Sequence, residues 1–331
     1  MRVRRITDTD IIEVPTPIDA GTVSPTNGLV WIDFDHTDEQ GIALLPQLFD
    51  ARATDVEACQ ARDPVPKLHL YSDHHFTAIN GLSRGSDGRL YFQPLKVFQN
   101  PHVVVTVLGP TSSALPRDAA RRELDAVHQR LDGGGFRPTS SLELITAIRR
   151  EMMDTLERLI GGAAGRIAKV ERQIIESDPV QSENLLGHLF ELRHDLQTIR
   201  TSAAQAHQSY SNLLETASLQ EGLLAVDVRR VSELRQGFGH IMNTTDLERE
   251  YLQEMLDLFQ TRVSTELNRF VRKVTAWGSV GIAWTVIAGL YGMNFTHMPE
   301  LSWTWGYPTV LVVMLLVGII LVIFFRRHGW L

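Results

Sequence analysis

Val274-Thr275-Ala276-Trp277-Gly278-Ser279-Val280-Gly281-Ile282-Ala283-Trp284-Thr285-Val286-Ile287-Ala288-Gly289-Leu290-Tyr291 is a run of 18 residues whose only ionisable side chain is the closing tyrosine. A second run, 309–325, adds 17 residues with none. A helix rises about 1.5 Å per residue, so each run is close to the roughly 20 residues that cross about 30 Å of hydrocarbon. A hairpin buried in a soluble core is the other reading, and the flanking charges favour a bilayer. Arg262, Arg269, Arg272 and Lys273 precede the first run, Arg326 and Arg327 follow the second, and the connection 292–308 holds no Lys or Arg, only Glu300. The positive-inside rule then puts both termini in the cytoplasm and the connection outside. Tyr291, Trp303, Trp305 and Tyr307 gather at the outer end and Trp330 at the inner one, where amphipathic rings sit among headgroups.

The whole chain has 331 residues, 44% hydrophobic and 21% charged. Its mean hydropathy of −0.07 averages a charged stretch to about Lys273 and a very apolar remainder. A net charge of −7 argues against a nucleic-acid partner, because phosphate binding needs clustered Lys and Arg. One cysteine, Cys59, excludes an intramolecular disulfide and a cysteine zinc site, and reads as a small buried apolar residue in a reducing compartment. Met1-Arg2-Val3-Arg4-Arg5 has no apolar run after it, so no cleaved signal peptide is expected.

Residues 1–138 carry short β-like runs at 29–34, 67–71, 76–80, 90–98 and 102–108, alternating with helical stretches near 39–52 and 117–131. That alternation predicts an α/β domain with a mixed sheet, closed by the junction Gly133-Gly134-Gly135. From 139 to 219 the period changes to three and four. Leu142, Ile145, Arg149, Met152, Leu156 and onward to Ile174 form one seam, and Leu185 through Leu213 to Ala217, passing Tyr210, form a second. Asp178-Pro179 interrupts them, giving an antiparallel helical hairpin. A third helical stretch, 220–291, runs from the cytoplasmic side straight into the first span at about 274–291. The external loop 292–308, the second span 309–325 and the basic tail 326–331 complete the chain. The expected class is an α+β membrane protein.

Every third and fourth residue of the first span gives Asn268, Val271, Thr275, Gly278, Ile282, Thr285, Gly289 and Gly292, a small and partly polar stripe. Trp277, Trp284 and Tyr291 lie elsewhere on the helix. Two readings are open. Small residues let helix backbones approach, and hydroxyls with an amide also suit a wet pore wall. One hairpin cannot enclose a channel, so a pore needs a closed ring of identical subunits. Asn294, just past the stripe, would then place several amide oxygens around one axis. Neutral oxygens suit a hydrated Mg²⁺, which sheds its water reluctantly.

Tyr291-Gly292-Met293-Asn294-Phe295, then Met298-Pro299-Glu300-Leu301, Trp305-Gly306-Tyr307-Pro308 and the basic Arg326-Arg327 resemble the CorA magnesium transporter family in order and spacing. The likeness is close from about Asp257 and architectural before it. It implies a homopentameric funnel with Gly292, Met293 and Asn294 at the external entrance, Asn294 contacting the hydrated ion, and Glu300 in the loop beside them. A gap-free count puts Asn268, Val271 and Val274 at the family's cytoplasmic constriction and Thr285 at a pore-lining hydroxyl position. Family members close when intracellular Mg²⁺ occupies acidic sites between subunits, for which Glu233 and Asp257 are the nearest candidates; solvated helix-face charges are the alternative for each. The mid-span Gly281, Ala283 and Trp284 depart from the family's usual proline and aliphatics.

The expected function is therefore channel-like divalent cation transport across the inner (plasma) membrane. Mg²⁺ would be both cargo and regulator, and no enzyme activity or organic cofactor is expected. Its partners would be further copies of itself, the lipid bilayer and divalent cations. A ZntB-like zinc transporter is one alternative, against which Met293 counts because that motif usually reads Gly-Val-Asn. A non-conducting membrane-tethered metal sensor or scaffold is another. Asp33, Asp35, Asp38 and Glu39 lack the glycine of a calcium loop and read as strand end and helix start. His74-His75 lacks the helical spacing of a metalloprotease site, and no phosphate-binding P-loop appears.

Overall fold

The β-branched and aromatic run Leu29–Asp35 becomes β3, an interior strand of a seven-stranded mixed sheet. A computed structural model describes residues 1–16, 18, 20–23, 28–62, 66–176, 183–219, 225–293 and 303–331. They group into two units, Met1–Val170 with Gly187–Gln253, and Glu171–Leu186 with Glu254–Leu331. In the first unit β3 is joined by β1 (Arg2–Ile6), β2 (Ile11–Glu13), β4 (Lys67–Leu70), β5 (His75–Arg84), β6 (Leu90–Gln99) and β7 (Val103–Leu108). The order is β2-β1-β3-β7-β6-β5-β4. β3 and β7 pair in parallel, Ile32 opposite Val105, while β5 and β6 form a long antiparallel ladder.

Both faces of the central strands are covered, which is why β3 and β7 read as continuous apolar runs instead of alternating ones. Val30, Ile32 and Phe34 pack with Leu45 and Cys59 from α2 (Glu39–Leu48) and α3 (Ala53–Gln60). Leu29 and Trp31 pack on the other face with Leu124 and Val127 of α4 (Arg117–Asp132) and Ile148 of α5 (Ser141–Glu176). A short α1 (Ala20–Val23) precedes β3. Gly41 is required: a Cβ there would sit 2.6 Å from the Phe34 ring.

The helical stretch expected to reach Arg52 ends sooner. Phe49 is extended at φ −132°, ψ 150°, and the separate α3 follows. Asp38 caps α2, accepting the Gly41 amide at 3.0 Å, and Asp33 and Asp35 belong to β3. The acidic run is thus strand end and helix start, as its missing glycine implied.

Buried polar groups around β3 bond to one another, although His128 Nδ1 is left without a partner among the described residues. Thr106 Oγ1 accepts the Trp31 indole N–H at 3.0 Å and donates to Asp33 at 2.9 Å. Arg121 bridges Asp33 and Asp35. His128 stacks on Trp31 at 3.9 Å and reaches Asp33 through Nε2 at 3.4 Å. Burial alone would raise the Asp33 pKa, but the His128 hydrogen bond and the Arg121 charge more than reverse it, leaving Asp33 below the usual carboxylate range.

Three helices complete this unit: α5, α6 (Glu183–Leu219) and the first part of α7 (Ala225–Tyr291). Leu156, Ile160, Ile199, Ala203, Phe238 and Ile241 share one core. Arg166 pairs with Asp195 at 2.6 Å, whereas Arg149, earlier in α5, lies over Tyr210, later in α6. α5 and α6 therefore run antiparallel. Arg200–Asp246 and Tyr210–Phe238 order α6 and α7 the same way. Asp178-Pro179 and the expected helix start at Gln220 lie outside the described residues.

Candidate ion pathway

The second unit contains the last part of α7 and α8 (Gly306–Arg327), two helices long and apolar enough to cross a membrane. Their apolar side chains are mostly exposed. Val271 is 51% exposed and Ile282 67%, and Leu315, Ile320 and Phe324 of α8 are exposed as well. A core hairpin of a soluble protein would bury such residues, so this reading of the two runs does not hold.

What the 274–291 stretch of α7 does bury is narrow: Ala276 at 0% and Val280 at 3%, with Ser279, Ala283 and Ile287 half-buried. The residues covered on α8 are Gly306, Gly318 and Phe325, with Val310, Met314, Val317, Leu321 and Val322 half-buried. Trp284 fixes the register of the pair. Its indole N–H donates to the Met314 carbonyl at 2.8 Å, and a Cβ on Gly318 would come within 3.0 Å of its ring. Sequence spacing placed Trp284 off the stripe; this contact with the second helix was not legible there, because the acceptor is a backbone carbonyl 30 residues away.

The stripe lies on the other side. At about 100° per residue it centres roughly 150° around the helix from the Ala276–Ile287 face. Asn268, Val271, Thr275, Gly278, Ile282, Thr285, Gly289 and Gly292 are all exposed, as is Val274. A Cβ placed on Gly278 or Gly289 meets nothing within 4 Å. The Thr285 hydroxyl donates to the Gly281 carbonyl at 2.9 Å, so its proton is committed to the helix and its lone pairs remain to accept from water.

α7 ends at Tyr291. The Gly292 amide still donates to Ala288 at 2.9 Å, and Met293, exposed, turns back to Leu290 at 3.4 Å. Asn294 and Glu300 lie outside the described residues. Trp303, Trp305 and Tyr307 are exposed where α8 begins. At its other end Trp330 stacks on Phe325 at 5.4 Å, beside Arg326 and Arg327.

Glu233 and Asp257, the two candidate regulatory acids, both stand on α7. Glu233 pairs with Arg229 at 3.1 Å and Arg150 at 3.4 Å. Asp257 is exposed on α7, its carbonyl accepting the Thr261 hydroxyl at 2.8 Å. No cluster of three His, Cys, Asp or Glu able to hold a metal occurs among the described residues.

A family model described as CorA-like Mg²⁺ transporter protein matches residues 26–327. The cobalt/magnesium transport protein CorA of Thermotoga maritima is 28% identical over 216 residues, which is 62% of this chain and 58% of that relative. The match thus spans less than two thirds of the Thermotoga protein. A putative metal ion transporter of Bacillus subtilis, YfjQ, is 26% identical over 309 residues, 91% of this chain and 89% of its own. The solved CorA magnesium transporter from Methanocaldococcus jannaschii superposes with a TM-score of 0.83 at 16% identity, covering 100% of this chain and 99% of that one. At this identity the likeness is one of fold.

Proposed function

The chain belongs to the CorA-like Mg²⁺ transporter family, and from that membership we propose that it is a channel-like divalent cation transporter that carries Mg²⁺ into the cell. The observation that carries this reading is the α7 stripe, exposed and turned away from α8. A ring of copies, five on the family pattern, buries that stripe around a common axis. Gly292, Met293 and Asn294 form its outer entrance with Glu300 nearby, and the protein sits in the inner (plasma) membrane with both termini cytoplasmic.

The chemistry of the stripe suits a hydrated ion. Carboxamide oxygens of Asn294 accept hydrogen bonds from the water shell of Mg²⁺, which the ion keeps because its dehydration is costly. Thr285, its proton already given to Gly281, offers acceptors further in, where Asn268, Thr275, Gly278, Ile282 and Gly289 extend the wall. Val271 and Val274 make apolar girdles that close by dewetting. Two charges entering across about 100 mV gain about 4.6 kcal/mol, so no nucleotide hydrolysis is needed and the protein is a transporter, not an enzyme.

Intracellular Mg²⁺ closes the path through Glu233 and Asp257. Because Glu233 is held by two arginines in the protomer, Mg²⁺ there competes with Arg150 and Arg229. Loss of the ion leaves negative charges facing each other across subunits and favours the open state.

Reconstitution into liposomes tests this. Mg²⁺ entry that follows an inside-negative potential and is lost in Asn294→Ala supports the proposal. Absence of divalent flux in every oligomeric preparation supports the scaffold reading instead. Zn²⁺ entry that outcompetes Mg²⁺ and responds to a pH gradient supports the zinc reading.

A further inference from the structure

Arg149 stands on the apolar seam of α5, four residues after Ile145 and three before Met152, and it is only 4% exposed. Among the described residues no carboxylate reaches it. Its directed contact is with the Tyr210 ring, whose centroid lies 5.3 Å from the guanidinium carbon, and its Nε has no hydrogen-bond partner. Tyr210 is 6% exposed and its hydroxyl is also unpartnered. Leaving a buried cation in this state is unfavourable: burial drags the Arg149 pKa down and pushes that of Tyr210 up. Such a group asks for an anion.

Both side chains line a cavity of about 500 Å³ within the first unit, between the β5–β6 surface and α5, α6 and α7. That volume falls in the range of sites for small organic ligands. Its walls are largely hydrocarbon, from Leu68, Ile79, Val97, Ile145, Leu213 and Val231. Gln99, on the same wall, has an unpartnered Oε1. Ser140 and Ser141, at the start of α5, border the cavity, and the Ser140 hydroxyl caps the helix by accepting the Glu143 amide at 3.2 Å.

The charge count selects the ligand class. Among the described residues Arg149 is the one Lys or Arg lining the cavity, and two carboxylates, Asp73 and Asp227, line it as well. Asp73 is held ionised, accepting the Asp50 amide and contacting His74. A polyphosphate or dicarboxylate would bring more negative charge than one guanidinium matches. A single carboxylate on an apolar body matches both the lone cation and the walls.

We propose that this cavity binds an organic monocarboxylate, its carboxylate paired with Arg149, accepting from the Tyr210 hydroxyl, and its hydrocarbon packed against Ile79, Val97, Ile145 and Leu213. Gln99 Oε1 supplies an acceptor for a hydroxyl on the same molecule or for a bound water. The site is independent of the transported cation.

Isothermal titration of the full chain in detergent with 3-phenylpropionate tests it, with 3-phenylpropionamide and inorganic phosphate as controls. The carboxylate binds saturably with one site per chain, while the amide and phosphate bind at least roughly tenfold more weakly, as loss of a charge-assisted contact requires. Arg149→Gln loses the binding and, having shed an unpaired buried cation, melts no lower than the parent without ligand. Tyr210→Phe keeps the fold and weakens binding by less. Failure of 3-phenylpropionate to bind the parent, equal binding of the amide, stronger binding of phosphate, or undiminished binding to a folded Arg149→Gln would each overturn the assignment. None of these readouts depends on ion flux, so failure here and failure of the transport reading are separable.

Discussion

Trp284 on α7 donates its indole N–H to the main-chain carbonyl of Met314 on α8 at 2.8 Å. That bond, with Gly318 under the same ring, commits one face of α7 to its neighbour and leaves the Asn268–Gly292 stripe for something else. Trp284→Phe keeps an aromatic ring, smaller than the indole, and removes the donor, and a net loss of at least about 0.5–1.5 kcal/mol is expected. Gly318→Leu forces a side chain into the indole and costs about 1–3 kcal/mol. Thermal unfolding in detergent should rank the parent above Trp284→Phe and Gly318→Leu lowest. Equal melting of all three would mean that this contact does not hold the pair together.

Asp33 and Arg121 make a buried pair with a comparable test. Removing the cation in Arg121→Met strands a carboxylate inside the sheet–helix layer, with only Thr106 and His128 left to it among the described side chains. A loss of about 3 kcal/mol is expected, the lower end for a broken buried pair. The double variant with Asp33→Asn should recover part of it. Thermal or denaturant unfolding reads both, and additive losses would contradict the coupling.

Acid should weaken the fold before the carboxylates titrate. Burial lowers the His128 pKa, outweighing the upward pull of Asp33, with Arg2 and Arg4 adding to the fall. Burial lowers that of His75 too, helped by the charge of His74. A histidine with a folded-state pKa below its unfolded value of about 6.5 binds fewer protons folded than unfolded. Its stabilising contribution is therefore complete above about pH 6.5 and is lost as the pH falls through and below that value. Melting temperatures should decline from about pH 6.5 downward, less steeply in His128→Gln. A rise on mild acidification would show the opposite sign.

How much of this was open to sequence reading follows from the range of each interaction. The spans, the strands from β3 to β7 and the helical seams were legible because their signals are local: composition, period and flanking charge. β1 was not, since Arg2, Arg4 and Arg5 hide its strand pattern. Arg4 is nonetheless buried, paired with Asp132 at a separation of 128 residues. Arg121–Asp33, His128–Asp33 and Trp284–Met314 also join distant positions. α3 has no side-chain cap and little amphipathicity, so nothing local announced it. Arg149 and Tyr210 were visible as seam positions, but their lack of partners is a tertiary fact.

Cys59 is fully buried, and that burial pushes its thiol pKa up to about 12. The thiolate is the reactive form, so a maleimide at about pH 7 should leave the folded protein unlabelled and modify one site after denaturation, as read by mass spectrometry. Labelling of the native protein would contradict that burial.

An inert Cys59 permits the most direct test of the transport reading, cysteine scanning of α7 in reconstituted protein. Thr285→Cys and Gly278→Cys face the proposed axis, while Ala276→Cys and Val280→Cys face α8. A water-soluble cationic thiol reagent should modify the first pair and block Mg²⁺ entry, and leave the second pair unmodified with flux intact. Modification of Ala276→Cys and Val280→Cys, with Thr285→Cys and Gly278→Cys shielded and flux unaffected, would contradict a pore lined by the stripe.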